Sequence, residues 1–563
     1  MSPAGPPATS LRAPCPHLGA STVAFDGNRS YRPVIMGRRG AVASNHPLAT
    51  QAGLLTLQAG GDAVDAAVAV AATLSVVEPF MSGLGGDGFY HVYRKGTGEA
   101  TVFNGTGAAP RAATPERYAG GIPISGPLAF STPGSVGAWG AMHARYGRRS
   151  WTSLFEAAIH YATEGFGATP TYRNYAGEAV KVLSPDARST RTFLRDGRAP
   201  TLGAAIAQPE LARTLTQLSE EGADSFYRGA IAKRFAAGLA EVGALVTVDD
   251  LAECYPEEQA PIEISYRGFT VREAPPNSTG WVLLQELKLV EQFNLAGMGA
   301  LSADAVHTLV EAKKLAFEDR ETWGGDPNFI TPPFDELLSG AYAARRAALI
   351  DARKAGPAVR TPVATAGRGN TTYFCVVDGD GNAVSAIQSI NSLFGSGVTA
   401  GDTGIVLNNR MSPWHLEPGH PNRLQPGKRV RHTMNPPMVF KDGELWAVFG
   451  TPGGDNQVQV NLQVLTSMID FGFDAQQAAE APRWKSEAPG QEANYPHDAP
   501  DALTMEGRFP ASVRDELAGR GHNVVTVGDL EGPCSIEIIR RDPSNGMLMG
   551  GSDPRRDGWA LAY

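Results

Sequence analysis

The sequence predicts an α+β fold, and three observations support this prediction. Residues 48–59 and 62–78 have the composition of helices, and most of residues 130–340 has a helical pattern. Residues 90–103 and 370–391 are instead rich in side chains that favour strands, and each run is interrupted by a short turn that contains glycine. Helices and β-hairpins are therefore both expected in the core.

The composition narrows the class of protein. The chain has 563 residues, enough for a large core, and a formal net charge of −9, which argues against nucleic acid or an anionic membrane as a partner. No apolar run reaches the length of a membrane span. The four cysteines are widely spaced and form no metal-binding pattern, so we expect free thiols, no metal and a cytoplasmic location.

The elements follow in order from the N-terminus. Residues 1–30 are rich in Pro, Ala, Gly and Ser, and we expect a mobile arm without a secretory segment. A strand and a turn at 40–47 precede the helix at 48–59, which two glycines end. The helix at 62–78 has almost no charge and is expected to be buried on most sides until Pro79 ends it.

Two glycine-rich loops follow at different points of the chain. The loop at 82–89 lacks the Lys-Ser/Thr pair of a phosphate-binding loop, so we interpret it as a place of close backbone packing. The loop at 450–454 follows a predicted strand at 445–449 and has two interpretations. It is either a simple turn or an oxyanion hole, because two successive glycine N–H groups can converge on one oxygen.

The hairpin at 370–391 contains the strongest candidate for a nucleophile. Folding it about its turn brings Thr371 opposite Ser389 or Ile390, depending on the register. The residues before it, 356–369, have the composition of a loop. A loop that leads into a threonine at the start of a strand is what a self-cleaving N-terminal-nucleophile hydrolase requires, although an isolated Thr-Thr pair is more often structural.

Several motifs in this half of the chain resemble the gamma-glutamyltransferase family. The motifs lie at residues 371–374, 376–378, 381–384, 391, 394–395 and 404–409. The resemblance extends from about residue 40 to residue 563. It implies the four-layer αββα sandwich of the N-terminal-nucleophile hydrolases, which is one compact unit built from two fragments. The large fragment, residues 31–370, is expected to be largely helical, and the small fragment, residues 371–563, begins with the nucleophile.

The resemblance also implies the chemistry. The hydroxyl of Thr371 attacks the carbonyl of Asn370, an N→O acyl shift follows, and water hydrolyses the ester to leave a free α-amine on Thr371. That amine, with a pKa of about 8, is the general base for its own hydroxyl. Ser389 is expected to hydrogen-bond the hydroxyl, and Gly453 and Gly454 are expected to hold the oxyanion. No metal or organic cofactor is required.

Three positions depart from the family's pattern for recognising a glutamyl group. Thr106 stands where the family has an arginine that binds the α-carboxylate, and Pro413 stands where it has an aspartate that binds the α-ammonium. His432 and Thr433 replace two serines. A hydroxyl group cannot form the bidentate contact that a guanidinium forms. We therefore expect that the catalytic groups are retained while recognition of an amino-acid head group is lost.

These departures predict an amidohydrolase similar to the oxamate amidohydrolase and cephalosporin-acylase-like members of the family. The expected substrate is a small anionic amide that is not an amino-acid derivative, and water or an amine removes its acyl group. Arg410 and His432 are candidate contacts for the anion, and Asn391, Thr433 and Thr106 are further candidate contacts for the substrate.

Two alternatives stay open on the sequence. One is a glutathione hydrolase or gamma-glutamyltransferase that uses a different glutamyl clamp. The other is an unprocessed scaffold without activity, against which the retained Thr371 and the glycine pair at 453–454 both argue. The sequence also leaves open the exact substrate and whether two αβ units associate as a dimer.

Overall fold

Two seven-stranded sheets lie face to face at the centre of the described chain. The structure is a computed structural model that describes residues 30–357, 370–487 and 502–563. The N-terminal arm predicted at 1–30 lies outside these ranges except for its last residue, and most of the loop predicted at 356–369 lies outside them as well.

The strands of the two sheets come from both halves of the chain. In spatial order the first sheet comprises β1 (Ile35–Gly37), β18 (Leu548–Ser552), β17 (Glu537–Arg541), β13 (Glu444–Gly450), β12 (Met438–Lys441), β9 (Phe269–Glu273) and β8 (Ile262–Tyr266). The second sheet comprises β19 (Trp559–Ala562), β2 (Gly40–Ser44), β10 (Asn370–Asp378), β11 (Ala383–Asn391), β3 (Asp87–Arg94), β4 (Glu99–Gly105) and β7 (Glu257–Gln259). In each sheet, strands that precede residue 370 therefore lie on either side of strands that follow it. Two smaller sheets also form. One pairs β5 (Phe166–Gly167) with β6 (Ala205–Ile206), and the other contains β14 (Trp484–Ser486), β15 (Leu503–Glu506) and β16 (Val524–Val527).

Two layers of helices cover the outer faces of the sheets. The second sheet packs against α1 (Pro47–Gln58), α2 (Ala63–Val77), α3 (Ser135–Tyr146), α4 (Glu156–Glu164), α5 (Pro170–Glu178), α6 (Val180–Leu183), α7 (Ala187–Phe193), α8 (Pro209–Glu221), α9 (Asp224–Arg228), α10 (Ala230–Val242) and α11 (Val248–Glu253). The first sheet packs against α12 (Gly280–Val290), α13 (Leu295–Met298), α14 (Ala303–Trp323), α15 (Phe334–Leu337), α16 (Gly340–Ala347), α17 (Asn456–Ile469), α18 (Ala475–Glu480) and α19 (Ala511–Gly519). The predicted four-layer αββα arrangement is thus confirmed.

The central hairpin β10–β11 is buried on both of its faces. Successive side chains of a strand point to opposite faces, so Tyr373 and Cys375 lie in the apolar layer between the sheets, whereas Phe374 and Val376 face the helices. Beneath the hairpin, α2 is buried along its whole length, as expected from its uncharged sequence, and Asp62 caps its N-terminus.

The prediction of a mostly helical pattern over 130–340 is wrong for residues 257–273. These residues form the short strands β7, β8 and β9, which lie at the ends of the two sheets. Many of their positions are partly exposed, and charged or polar side chains separate the apolar ones, so the strands contain no sustained apolar run. Pairing with β4 and β12, which the local sequence does not reveal, determines their structure. No helix in the described ranges has both the length and the hydropathy needed to cross a bilayer.

The C-terminal segment 550–558 is held by buried ion pairs. The carboxylate of Asp553 contacts the guanidinium groups of Arg483 and Arg555, and it accepts the backbone N–H of Ile536 at 3.0 Å. Burial alone would raise the pKa of Asp553, but the two arginines and the backbone donors lower it to about 2. This geometry indicates a structural role for the segment, with its charges paired.

We expect these contacts of Asp553 to make the protein less stable in acid. A carboxyl whose pKa is lower in the folded state stabilises the fold above its unfolded pKa, and this contribution is lost as the pH falls through the folded value. The free energy of unfolding should therefore decrease by on the order of 2 kcal/mol between about pH 4 and pH 2 through this group. Urea unfolding of wild type and Asp553→Asn at several pH values measures the effect. The exposed Asp515→Asn is the control, and equal pH dependence in wild type and Asp553→Asn would contradict the assignment.

Candidate active site

The structure brings Thr371 and Ser389 together at the start of the hairpin. The β10–β11 ladder pairs Asn370 with Asn391 and Thr372 with Gln388, with an irregularity between the two pairs. Thr371 Oγ1 donates to Ser389 Oγ at 3.3 Å, and the same oxygen accepts the N–H of Asn391 at 2.8 Å. Of the two registers that the sequence allows, the structure selects the one that joins the two hydroxyls.

Thr372, which follows the predicted nucleophile Thr371, is held from the opposite face of the sheet. Thr372 Oγ1 donates to Glu78 Oε2 at 2.6 Å, and Glu78 lies buried at the C-terminal end of α2. Burial raises the pKa of Glu78 to about 7, although the hydrogen bond from Thr372 and the charge of Arg556 oppose that rise. Thr371, the predicted nucleophile, is therefore fixed from both faces of β10, by Ser389 on one side and through Thr372 on the other.

The loop after β13 contains the two glycines predicted to hold an oxyanion. Gly450 packs so closely on Tyr373 that a Cβ there would lie 2.3 Å from the tyrosine ring, which joins this loop to the nucleophile's strand. Gly453 and Gly454 have φ angles of +125° and +58°, and their carbonyls accept the first N–H groups of α17. Neither glycine N–H donates to an acceptor within the described ranges, so both are available to an oxyanion.

A buried cluster of charged and polar groups lies one strand further along the sheet. The β11–β3 ladder places Asp87 beside Ser389. Asp87 Oδ2 lies 3.8 Å from Arg410 Nε and 3.4 Å from His432 Nε2. Arg410 Nη1 donates to Asn391 Oδ1 at 2.8 Å. The structure thus brings together three of the predicted substrate contacts and adds an aspartate.

Several polar atoms of this cluster have no hydrogen-bond partner in the described part of the chain. They are Arg410 Nε and Nη2, Asp87 Oδ2 and both ring nitrogens of His432. The Nε and Nη2 hydrogens of a guanidinium point in parallel from one edge and match the two oxygens of a carboxylate. The Arg410 edge forms an ion pair with Asp87 at 3.8 Å but donates no hydrogen bond within the described residues. Because buried polar groups are almost always hydrogen-bonded, these N–H groups remain as donors for an anion.

Burial also determines the charges of the cluster. It lowers the pKa of His432 to about 4, with a further contribution from Arg410, so the imidazole is neutral at pH 7. Burial lowers the pKa of Arg410 to about 10, partly offset by Asp87, and the guanidinium stays cationic. A neutral His432 can donate one hydrogen bond and accept another, while Arg410 supplies the positive charge.

Thr106 and Thr433 are placed differently from the other candidates. The hydroxyl of Thr106 donates to Asn104 Oδ1 at 2.7 Å and accepts from Asn277 Nδ2 at 3.2 Å, so it is engaged within the protein. Thr433 is buried directly after His432, and its carbonyl accepts the side-chain amide of Asn435. Contact of either threonine with substrate stays a prediction.

A cleft of about 670 Å³ opens beside Gly453. Its lining includes Tyr175, Ser392, Lys485 and Arg556. Ser392 directly follows Asn391, so the cleft leads toward the hairpin end that carries the two hydroxyls. Arg410 is buried and is not among the residues that line the cleft.

Within the described residues, two groups of side chains have the composition of a metal site, and internal contacts engage both. His307, Glu311 and His522 form one group, in which the imidazoles hydrogen-bond each other at 2.8 Å and Glu311 pairs with Lys314 at 2.8 Å. Glu321, His415 and His420 form the other, in which Glu321 pairs with arginines 320 and 431. Neither group contains a residue of the Thr371 site.

Sequence reasoning missed two members of the site, Glu78 and Asp87. The loop at 82–89 was interpreted only as close packing, which glycines 85 and 86 do show, since a Cβ on either would lie within 2.5 Å of a backbone oxygen. The place of Asp87 beside Ser389 depends on the pairing of β11 with β3, strands that are about 300 residues apart in sequence. The signal that the sequence offers for Asp87 is a lone acidic residue in the glycine-rich run 82–89.

Comparison with known proteins identifies the family. The family model described as gamma-glutamyltranspeptidase matches residues 49–563. The chain belongs to this family. The prediction from its motifs is confirmed, and with it the fold of the N-terminal-nucleophile hydrolases.

Relatives of this gamma-glutamyltranspeptidase family member carry different names. The glutathione hydrolase-like YwrD proenzyme of Bacillus subtilis strain 168 is 39% identical over 531 residues, 94% of this chain and 99% of that protein. The oxamate amidohydrolase proenzyme of Klebsiella pneumoniae is 36% identical over 537 residues, 93% of this chain and 98% of that protein. A crystal structure of cephalosporin acylase from Bacillus halodurans superposes with a TM-score of 0.87 at 37% identity, covering 95% of this chain and 98% of that one.

Proposed function

We propose that this family member is a self-cleaving amidohydrolase that hydrolyses the C–N bond of a small amide with a carboxylate on its acyl group, through a threonyl acyl-enzyme. The observation that supports the substrate class is the buried edge of Arg410 beside the Thr371–Ser389 pair, whose Nε and Nη2 donate no hydrogen bond within the described residues. The cytoplasmic location also stays a proposal; the described cysteines, Cys254, Cys375 and Cys534, are free thiols.

The nucleophile is generated by cleavage between Asn370 and Thr371. The fragments 31–370, with any residues of the arm, and 371–563 then remain in one unit. The new α-amine takes the proton from the Thr371 hydroxyl as its oxygen bonds to the amide carbon. Collapse of the tetrahedral intermediate breaks the C–N bond, and the ammonium returns the proton to the leaving amine. Water then attacks the ester by the same route and releases the acid.

The glycine loop and the anion seat, which is formed by Arg410 and His432, have separate roles in this reaction. The free N–H groups of Gly453 and Gly454 bind the oxyanion of the tetrahedral intermediate. The edge of Arg410 binds the carboxylate of the acyl group, and neutral His432 completes the seat as a hydrogen-bond partner. Asn391 joins the Thr371–Ser389 hydroxyl pair to Arg410, because its N–H donates to Ser389 Oγ and its side-chain carbonyl accepts from Arg410.

A glutathione hydrolase is the second candidate, because relatives with that printed name include the proenzyme of Escherichia coli strain K12, which is 34% identical over 546 residues. Against it stand Thr106, whose hydroxyl is engaged with Asn104 and Asn277, and Pro413, which offers neither charge nor donor. A gamma-glutamyl anilide assay beside the amide series below separates the two candidates.

The substrate class is tested with amides whose acyl chains end in a carboxylate. Oxamate, succinamate and glutaramate place the carboxylate at increasing distance from the amide carbon, and butyramide is the uncharged control. We expect one chain length to be preferred by about tenfold or more and butyramide to be hydrolysed poorly. Equal rates for charged and uncharged amides would contradict the anion seat, and turnover of the gamma-glutamyl anilide alone would favour the second candidate.

An Arg410→Gln variant is expected to lose the preference for anionic amides. A charge-assisted bidentate contact is worth on the order of 3 kcal/mol, so KM for the best anionic amide should rise about 100-fold while hydrolysis of butyramide changes little. Because loss of Arg410 leaves Asp87 buried without its charge partner, the variant should also be less stable. The Arg410→Gln/Asp87→Asn double variant controls for this effect: it should recover stability without recovering the low KM.

A further inference from the structure

Glu78 connects the two strands that carry the predicted nucleophile and its hydroxyl partner. Its carboxylate accepts the hydroxyl of Thr372 on β10 at 2.6 Å. Its backbone carbonyl accepts the N–H groups of Met81 and Ser82 and so closes the turn that follows α2. The carbonyl of Met81 in turn accepts the N–H of Ile390 on β11 at 3.0 Å.

Ser82 adds a second link from this turn to β11. Its hydroxyl accepts the side-chain amide of Gln388 at 3.2 Å. Gln388 and Ile390 are the neighbours of Ser389 on either side. The segment 78–82 thus holds both hydroxyl-bearing strands from the helical face of the sheet, and Glu78 is its charged member.

The groups that face Glu78 come from three parts of the chain. Thr372 approaches from β10, Arg556 and Asp557 act from the C-terminal segment, and the buried Glu537 of β17 also interacts with it electrostatically. Arg556 lines the cleft, and its guanidinium lies 5.5 Å from the ring centre of Tyr175. A carboxylate at position 78 therefore lies between the nucleophile's strand and a cation at the wall of the cleft.

We propose that Glu78 is a positioning residue for the Thr371 nucleophile. By accepting the hydroxyl of Thr372 from the helical face of the sheet, its carboxylate fixes the backbone of Thr371. Thr371 is then placed to attack Asn370 in the precursor and the substrate in the mature enzyme. This inference rests on the proposed function. In this inference Glu78 acts through Thr372 and does not contact the substrate.

The protonation state of Glu78 gives the inference a pH signature. A hydrogen bond to an ionised carboxylate is stronger than one to a neutral carboxyl group, so Thr372 is held best above the pKa of about 7. The precursor has no α-amine at Thr371, and the pKa of nearby His432 is about 4. Burial also raises the pKa of Glu537 well above its ordinary value. A decline of self-cleavage as the pH falls from 8 to 6 is therefore assigned to Glu78 by its loss in Glu78→Gln.

The test follows cleavage of the full chain by intact mass after cell-free synthesis, between pH 5.5 and 8.5. Glu78→Gln should slow cleavage at pH 8 about tenfold and abolish the decline between pH 8 and 6. Thr372→Val, which removes the same hydrogen bond from the strand side, should have a similar effect, and Thr372→Ser should restore the wild-type rate. The double variant Glu78→Gln/Thr372→Val should be no slower than either single variant.

The matched control is Asp470→Asn, because Asp470 is also a buried carboxylate that accepts a hydroxyl at 2.6 Å, from Tyr266. It should leave the pH profile of cleavage unchanged. Two results overturn the inference alone. One is cleavage of Glu78→Gln at the wild-type rate across the pH range. The other is a double variant whose cleavage rate falls by the product of the two single-variant decreases. Failure of wild type to cleave at any pH overturns the proposed function and this inference together. If Glu78→Gln does not fold, the profile of Thr372→Val decides.

Discussion

A Thr371→Ala protein is expected to remain a single chain and to hydrolyse no amide. The variant lacks the only hydroxyl that can attack the Asn370 carbonyl in the proposed mechanism, and it therefore cannot produce the fragment that begins at residue 371. Loss of a nucleophile typically costs at least about 10⁴-fold in rate. Intact mass of purified wild type and variant measures the first effect, and assays with the carboxylate-bearing amides measure the second.

Two further variants show whether the hydroxyl itself is responsible. Thr371→Val keeps the shape of the side chain and should behave like the alanine variant. Thr371→Ser keeps a hydroxyl at 3.3 Å from Ser389 in a less constrained side chain, so it should cleave more slowly but to completion. Cleavage of the alanine variant between residues 370 and 371 would show that another group is the nucleophile, and the mechanism proposed above would have to be abandoned.

A Gly453→Ala protein is expected to lose about 10²–10³-fold in kcat, the usual effect of removing one oxyanion donor. Two observations predict this loss. The φ angle of +125° at Gly453 lies in a region that side chains with a Cβ rarely adopt, and a Cβ there would lie 2.3 Å from Cys534 Sγ. The loop must therefore shift, and the N–H of Gly453 no longer points to the oxyanion.

Gly443→Ala is the matched control for this prediction. Gly443 also has a positive φ, +81°, but a Cβ there meets nothing within 4 Å. It should cost stability through backbone strain and leave kcat unchanged. The oxyanion assignment is wrong if both alanine variants retain the wild-type kcat. Replacing Cys534 by alanine in the Gly453→Ala background should recover part of the activity, since it removes the nearest obstacle to the new methyl group.

The parts of the fold predicted well from sequence are those that local pattern determines. The hairpin 370–391 has strong strand formers and a Gly-Asp-Gly-Asn turn, and its two strands, β10 and β11, fill the predicted range on either side of that turn. The uncharged helix 62–78 is likewise buried as expected. The strands at 257–273 were missed because they are short and partly exposed, and pairing with distant strands determines them.

Some residues of the candidate site could be predicted from the sequence, whereas others become neighbours only in the folded chain. The family motifs supplied Thr371, Ser389 and the glycine pair, and the structure brings the two hydroxyls together. Arg410 and His432 were candidates because they replace or adjoin recognition positions, but their buried partner Asp87 comes from a strand that is far away in sequence. The Arg410 edge that donates no hydrogen bond within the described residues is a property of the assembled cluster, and no residue pattern along the chain could show it.

The alternation of early and late strands within both sheets has a consequence for the cleaved protein. Strand β2 lies between β19 and β10, so a large fragment contributes a strand that is flanked on both sides by the small one. Separating the fragments would require both sheets to come apart, and the pair should therefore survive dilution without dissociating. A mature sample mixed with an isotope-labelled one should not exchange fragments, even though denaturing electrophoresis separates them. Fragments synthesised separately would have to fold around each other. The yield of folded protein should therefore differ between a chain cut after folding and two fragments made separately, although their covalent structures are identical.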